Sequence, residues 1–313
     1  MNSLYFCCVF SREYAKIIVR VIMLSRFVYG FVWLLSLLPL RVLYLFADVC
    51  YVLLYYVVGY RRKVVMMNLK NSFPDKTEDE LRKIAKGFYH HLCDFFVESY
   101  RMWHMSADEI KRRCVFKNDE IVQHYLKEGR SLIVVLGHYG NWEWMASYSL
   151  WMSKDVDFFT LYKPLHNSVF DNMMRHIRSH FGAKPVPKND ILREIVNNRR
   201  EGRLFFAAFI GDQTPNVANL NFWMEFLHQD TPVLIGTEKI ARKFNLPVIS
   251  LRMRKVKRGY YEVDIMDLCS NPNALEPGEL TRMHTKMLER YIQEKPELWL
   301  WSHRRWKHKR EIN

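Results

Sequence analysis

The stretch from Phe27 to Tyr60 constrains this chain most. It is almost wholly apolar, interrupted by Pro39, Arg41 and Asp48. Its longest runs free of charge, Phe27–Leu40 and Val49–Tyr60, fall short of the roughly 18–20 residues of a clean membrane span. Arg41 and Asp48 lie seven apart, so on a helix they share a face and can pair. Basic residues flank both sides: Arg12, Lys16, Arg20 and Arg26 before, Arg61, Arg62, Lys63 and Lys70 after. That tie fits a helical hairpin or an in-plane anchor with both ends cytoplasmic, with a single tilted span or a buried helix pair as alternatives. The expected division is an anchor over 1–66 and a catalytic domain over 67–313.

Charge and cysteine usage narrow the partners. The formal net charge of +14 predicts attraction to a polyanion: nucleic acid, anionic lipid or a phosphorylated substrate. Nine tryptophans and seventeen tyrosines favour the membrane interface. The six cysteines lack zinc-type spacing and are too few for a disulfide scaffold, as in a reduced, cytosol-facing protein. No signal-peptide pattern is read, and no nucleic-acid fold signature.

Beyond the anchor, Thr77 to Glu80 reads as a capping box opening a helix to about Met105. Strands are expected at Ser131–Leu136, Asp157–Leu161, Leu204–Phe209, Leu246–Leu251 and Tyr260–Ile265. Helices are expected at Trp142–Met152, Ser168–Phe181, Ile191–Arg200, from Thr231-Pro232, and at Pro277–Glu294. The alternation specifies an α/β domain, a mainly parallel sheet flanked by helices.

The sharpest motif is Gly137-His138-Tyr139-Gly140-Asn141-Trp142-Glu143, directly after the first strand. On one continuous helix His138 and Glu143 would point about 140° apart. With His138 in a strand–helix loop, Asn141 capping the helix and Glu143 in its first turn, the carboxylate can reach back to the imidazole. A histidine so held suits a general base acting on an alcohol, although a bare His-x4-Glu more often does no chemistry. His90-His91 reads as a packed or surface pair rather than a metal site. Basic runs at Arg252–Arg258 and after Ser302 fit solvated faces or an anionic-lipid surface.

Several ordered blocks make the chain resemble the late acyltransferases of lipid A biosynthesis, in the lysophospholipid acyltransferase superfamily. Asn68-Leu69 with Ser72-Phe73-Pro74 matches the "NL…FP" segment, and His138 to Glu143 the "GHxGNWE" block. Leu161-Tyr162-Lys163-Pro164 matches "YRP", with Arg178 as the arginine that follows. Gly211-Asp212-Gln213 matches "DQ", and Ser302 to Trp306 the terminal "HRRW/F" block. The departures are Lys163 for the usual arginine and Phe226-Leu227-His228 for the usual "FFG".

The resemblance implies a glycerolipid acyltransferase-like fold and transfer of an acyl chain from acyl carrier protein to a hydroxyl of a lipid A precursor. It implies catalysis by His138 and Glu143, with Asn141, Lys163, Arg178, Asp212, Gln213, Arg304 and Arg305 binding substrate. It implies no cofactor or metal, no nucleic acid, and a place on the cytoplasmic face of a bacterial inner membrane. Alternatives are another glycolipid or a lysophospholipid as acceptor, coenzyme A as carrier, or a non-catalytic membrane protein binding polyanions.

Overall fold

The computed structural model describes residues 23–310; Arg12, Lys16 and Arg20 of the basic flank lie outside them. Two apolar helices come first, α1 (Met23–Ser36) and α2 (Leu40–Val52), the latter running on through a wider turn to Val58. Pro39 sits at the N-cap of α2, where its missing N–H costs no helical bond. Next come α3 (Arg62–Ser72), α4 (Glu78–Arg101), α5 (Ala107–Arg113), β1 (Cys114–Lys117) and α6 (Glu120–Lys127). The chain then follows β2 (Leu132–Leu136), β3 (Val156–Tyr162), α7 (Ser168–Ser179), β4 (Lys184–Pro187), α8 (Ile191–Arg200) and β5 (Leu204–Ile210). It closes with β6 (Trp223–Phe226), β7 (Gln229–Pro232), α9 (Gly236–Phe244), β8 (Val248–Lys257), β9 (Tyr260–Cys269) and α10 (Glu279–Glu294).

Seven strands form one sheet in the order β1-β9-β8-β2-β5-β3-β4, parallel except for the antiparallel β8–β9 pair. Its central strands are apolar on both faces, as a sheet covered by helices requires. The capping box forms: Thr77 N–H donates to Glu80 Oε2 at 2.8 Å, opening the long helix α4. Thr231-Pro232 does not start a helix. Leu227 and His228 both take positive φ, 52° and 59°, and make a two-residue turn that returns the chain as strand β7. The following helix starts four residues later, at Gly236.

The apolar helices are two-faced. On α2, Leu40, Leu43 and Ala47 are buried, and the first two join the core cluster that includes sheet residues Val134 and Ile249. The opposite face is bare: Leu45 is 67% exposed and Val57 70%. Asp48 does not pair with Arg41. It receives the Arg258 guanidinium at 2.6 Å and lies 3.1 Å from His90 Nε2, while the buried Asp94 takes the same guanidinium at 2.6 Å. Four of the five cations in the basic run at Arg252–Arg258 are accordingly held in ion pairs, and Lys257 instead lies over the Tyr260 ring at 4.3 Å. Arg252 meets Glu294, Arg254 meets Glu262 and Asp264, and Lys255 meets Asp94.

Burial drives the pKa of His91 down from 6.5 to about 3, and the neighbouring Lys255 charge adds to the shift. The unfolded chain therefore takes up this proton below pH 6.5 while the folded one does not. Stability should fall as pH drops from 6.5 toward 3, by at most about 1.4 kcal/mol per unit from this residue. His91→Phe should flatten that part of the profile, read as the unfolding midpoint in detergent against pH.

Candidate active site

The register of two neighbouring strands builds the centre. Parallel strands β2 and β5 pair Leu136 with Ile210, and two residues beyond each come His138 and Asp212. Both therefore leave the carboxyl edge of the sheet side by side, where α/β sheets commonly bind ligands. Asp212 grips the histidine twice: Oδ1 lies 2.5 Å from the ring Nδ1, and Oδ2 accepts the His138 backbone N–H at 2.9 Å. Trp299 Nε1 donates to the same Oδ2 at 2.8 Å. Burial by itself would raise the Asp212 carboxyl. The His138 charge and these donors outweigh it and hold the group down at about 2.

The loop is fixed from its other side. Leu300 N–H donates to the His138 carbonyl at 3.2 Å and Gly140 N–H to the Leu298 carbonyl at 2.9 Å, a strand-like stitch between the motif and the C-terminal segment. Gly140 has φ +66°, and a Cβ there would lie 2.8 Å from Met253 Sδ. Any L side chain meets both strain and a clash at this position. With Nδ1 directed at Asp212, the imidazole presents Nε2, which lies 3.2 Å from Gln213 Nε2. A neutral imidazole donating through Nδ1 leaves Nε2 an acceptor, the form a general base needs.

Glu143 does not reach the imidazole. It opens a 3₁₀ helix, Trp142–Trp151, and both its oxygens are engaged by Arg178 of α7, from Nε at 2.7 Å and Nη2 at 2.6 Å. The pair is largely buried, and the Glu143 carboxylate holds the Arg178 guanidinium above its ordinary range against the opposing effect of burial. Two expectations change together: Arg178 is bound to a carboxylate rather than open to a phosphate, and the carboxylate partner of His138 is Asp212. The reason is geometric. A first-turn side chain on this helix points across to α7, whereas the β5 register delivers Asp212 directly.

Asn141 caps its helix, accepting the Trp144 N–H at 3.3 Å, but it is fully buried rather than facing a ligand space. Its amide donates to Glu98 Oε2 at 2.8 Å. Glu98, deep in α4, also accepts from Tyr44 of α2 at 2.8 Å and Tyr261 of β9 at 2.7 Å, and burial pushes its carboxyl up. Lys163 is exposed just past β3, and among the described residues no hydrogen bond or ion pair holds it. Arg304 is also exposed, while Arg305 is only 2% exposed. Arg305 Nη2 donates to the Pro232 carbonyl at 2.7 Å, and burial brings its pKa down to about 10 against the Asp212 charge.

Beside Asp212 runs a narrow pocket of about 30 Å³, lined in part by Val135, Phe209, Met253, Leu288 and Arg305. Sequence reasoning missed Glu98 and Trp299 altogether, because a lone Glu in an amphipathic helix and one of nine tryptophans carry no signal. The position of Asp212 two residues past a strand was the available clue to its partnership with His138.

Removing one member of the Glu143–Arg178 pair strands a buried charge. Arg178→Met should therefore cost about 3–5 kcal/mol of stability. The double variant with Glu143→Gln should recover most of that loss, both read from unfolding in detergent.

A family model described as bacterial lipid A biosynthesis acyltransferase matches residues 10–308. Similar proteins include a lipid A biosynthesis acyltransferase of Haemophilus influenzae, 21% identical over 77% of this chain and 74% of its own. The lipid A biosynthesis lauroyltransferase of Escherichia coli strain K12 is 23% identical over 89% of each chain. The palmitoleoyltransferase of the same strain is 22% identical over 96% of this chain and 95% of its own.

Proposed function

The chain belongs to the bacterial lipid A biosynthesis acyltransferase family, and we propose that it moves a fatty acyl group from an acyl carrier protein thioester to a hydroxyl of a lipid A precursor. The observation that carries the chemistry is the His138–Asp212 pair, with Nε2 turned away from the carboxylate. In this reading His138 Nε2 takes the proton of the acceptor hydroxyl as its oxygen attacks the thioester carbonyl. The C–S bond then breaks, and the departing thiolate takes the proton from the imidazolium. Asp212 fixes the tautomer and stabilises the positive ring, the role first expected of Glu143. Glu143 and Arg178 act as a positioning pair that holds the motif helix against α7.

The remaining candidates follow from exposure. Lys163 and Arg304, solvent-facing cations, are suited to the phosphates of the acceptor; a point charge at Lys163 gives attraction without a bidentate fork. Gln213 guides the incoming hydroxyl to Nε2. Arg305 is a buried brace rather than a direct phosphate ligand. For location we propose the cytoplasmic face of the inner membrane. The apolar helices would lie in the plane of the interface, because the buried face of α2 is shared with the domain core.

Three measurements test the reading. Membrane lipids from cells lacking the protein should contain a lipid A species one acyl chain short, by mass spectrometry; accumulation of a lysophospholipid would assign another acceptor. With purified protein, His138→Ala and Asp212→Asn should each lower turnover by about 10²–10⁴-fold while membrane binding persists. Near-normal turnover by folded His138→Ala ends the mechanism.

The seat in the bilayer predicts resistance to salt. Apolar burial at about 25 cal/mol per Å² exceeds the roughly 1 kcal/mol of each interfacial cation, and only the latter weakens with salt. The full chain should stay with membranes through a high-salt wash and leave in detergent.

A further inference from the structure

A second cavity lies away from the His138 centre, between α3 and α4 at the end of the apolar helices. It is a groove of about 580 Å³. Its floor is apolar, formed by Tyr55, Val65, Leu81, Ala85 and Tyr89, all buried. Its rim is cationic: Arg62, Lys70, Lys76 and Arg82. Arg82 is tied to the one acidic group of the rim, Glu78, at 2.8 Å. Arg62, Lys70 and Lys76 have no ion pair among the described residues, although acids are plentiful elsewhere on the chain. The Arg62 guanidinium instead rests over the Tyr55 ring, 4.9 Å from its centroid.

The position of the groove selects its guest. Its floor residue Tyr55 is followed directly in the chain by the exposed apolar residues Tyr56, Val57 and Val58. An aromatic and aliphatic floor under a cationic rim, continuous with an apolar face, matches a molecule that is apolar at one end and anionic at the other. We infer that this groove binds one anionic phospholipid of the surrounding bilayer, its phosphate between Arg62, Lys70 and Lys76 and its glycerol and upper chains over Tyr55 and Leu81. An acidic protein surface would meet the three cations but leave the apolar floor unused. The inference rests on the membrane seat proposed above. None of the three cations belongs to the catalytic machinery, so the site would fix the depth and rotation of the enzyme at the interface.

The test uses the full chain in non-ionic micelles doped with phosphatidylglycerol or phosphatidylcholine, with retained lipid counted by native mass spectrometry. One phosphatidylglycerol should be retained and no phosphatidylcholine. The triple variant Arg62→Ala/Lys70→Ala/Lys76→Ala should lose it, with affinity falling about fivefold per cation removed. Lys70→Arg/Lys76→Arg should keep it. The triple variant should also transfer acyl chains normally in micelles free of anionic phospholipid. Equal retention of both lipids, or full displacement by millimolar inorganic phosphate, would overturn the inference. So would loss of transfer in uncharged micelles, or a raised KM for the acyl donor, since either assigns the groove to a substrate. Because the micelle replaces the bilayer, a failure here is distinct from release of the full chain by salt.

Discussion

The pairing of Leu136 with Ile210 in adjacent parallel strands is the constraint on which the site depends. It brings two loops from distant parts of the chain to the same edge, one ending in an imidazole and the other in a carboxylate. A parallel sheet gives this alignment without further cost, because equal offsets past paired residues stay neighbours. Everything else at the centre refines that meeting. Trp299 donates to Asp212 Oδ2 beside the His138 backbone N–H, and the stitch to residues 298–300 stops the loop from turning.

Part of the positive charge of this protein is spent on ion pairs. Arg178 is held by Glu143, and Arg252, Arg254, Lys255 and Arg258 are held by Asp48, Asp94, Glu262, Asp264 and Glu294. A count of basic residues therefore overstates the positive surface presented to a lipid. Among the described residues, Lys163, Arg304 and three of the four cations on the rim of the groove between α3 and α4 have no ion pair.

Much of the architecture was legible. Capping at Thr77, the strand before Gly137 and the helix at Ser168 all follow from local chemistry, and the structure reproduces each within a few residues. The helix expected at Thr231 failed because a turn of two non-glycine residues in left-handed conformation, Leu227 and His228, leaves no compositional mark. His138 stood out in its motif, and Asp212 was named as a substrate-binding residue, whereas the structure sets it against His138. Their partnership was not legible, since it is set by strand register across 74 positions rather than by the five that separate His138 from Glu143. Asp48 likewise found Arg258 instead of Arg41, because packing against α4 turns its face inward.

Glu98 carries a consequence for how such proteins can be rebuilt. Its carboxyl is shared by Tyr44 from the apolar helix, Asn141 from the loop that carries His138 and Tyr261 from the sheet. The helix is thus a part of the interior, and it is not an exchangeable module. A foreign apolar helix of equal hydropathy would leave a buried carboxyl one donor short where it directly holds Asn141 of the motif loop. Chimeras that swap leaders among relatives at this level of identity would need to transplant the tyrosine along with the hydrophobicity.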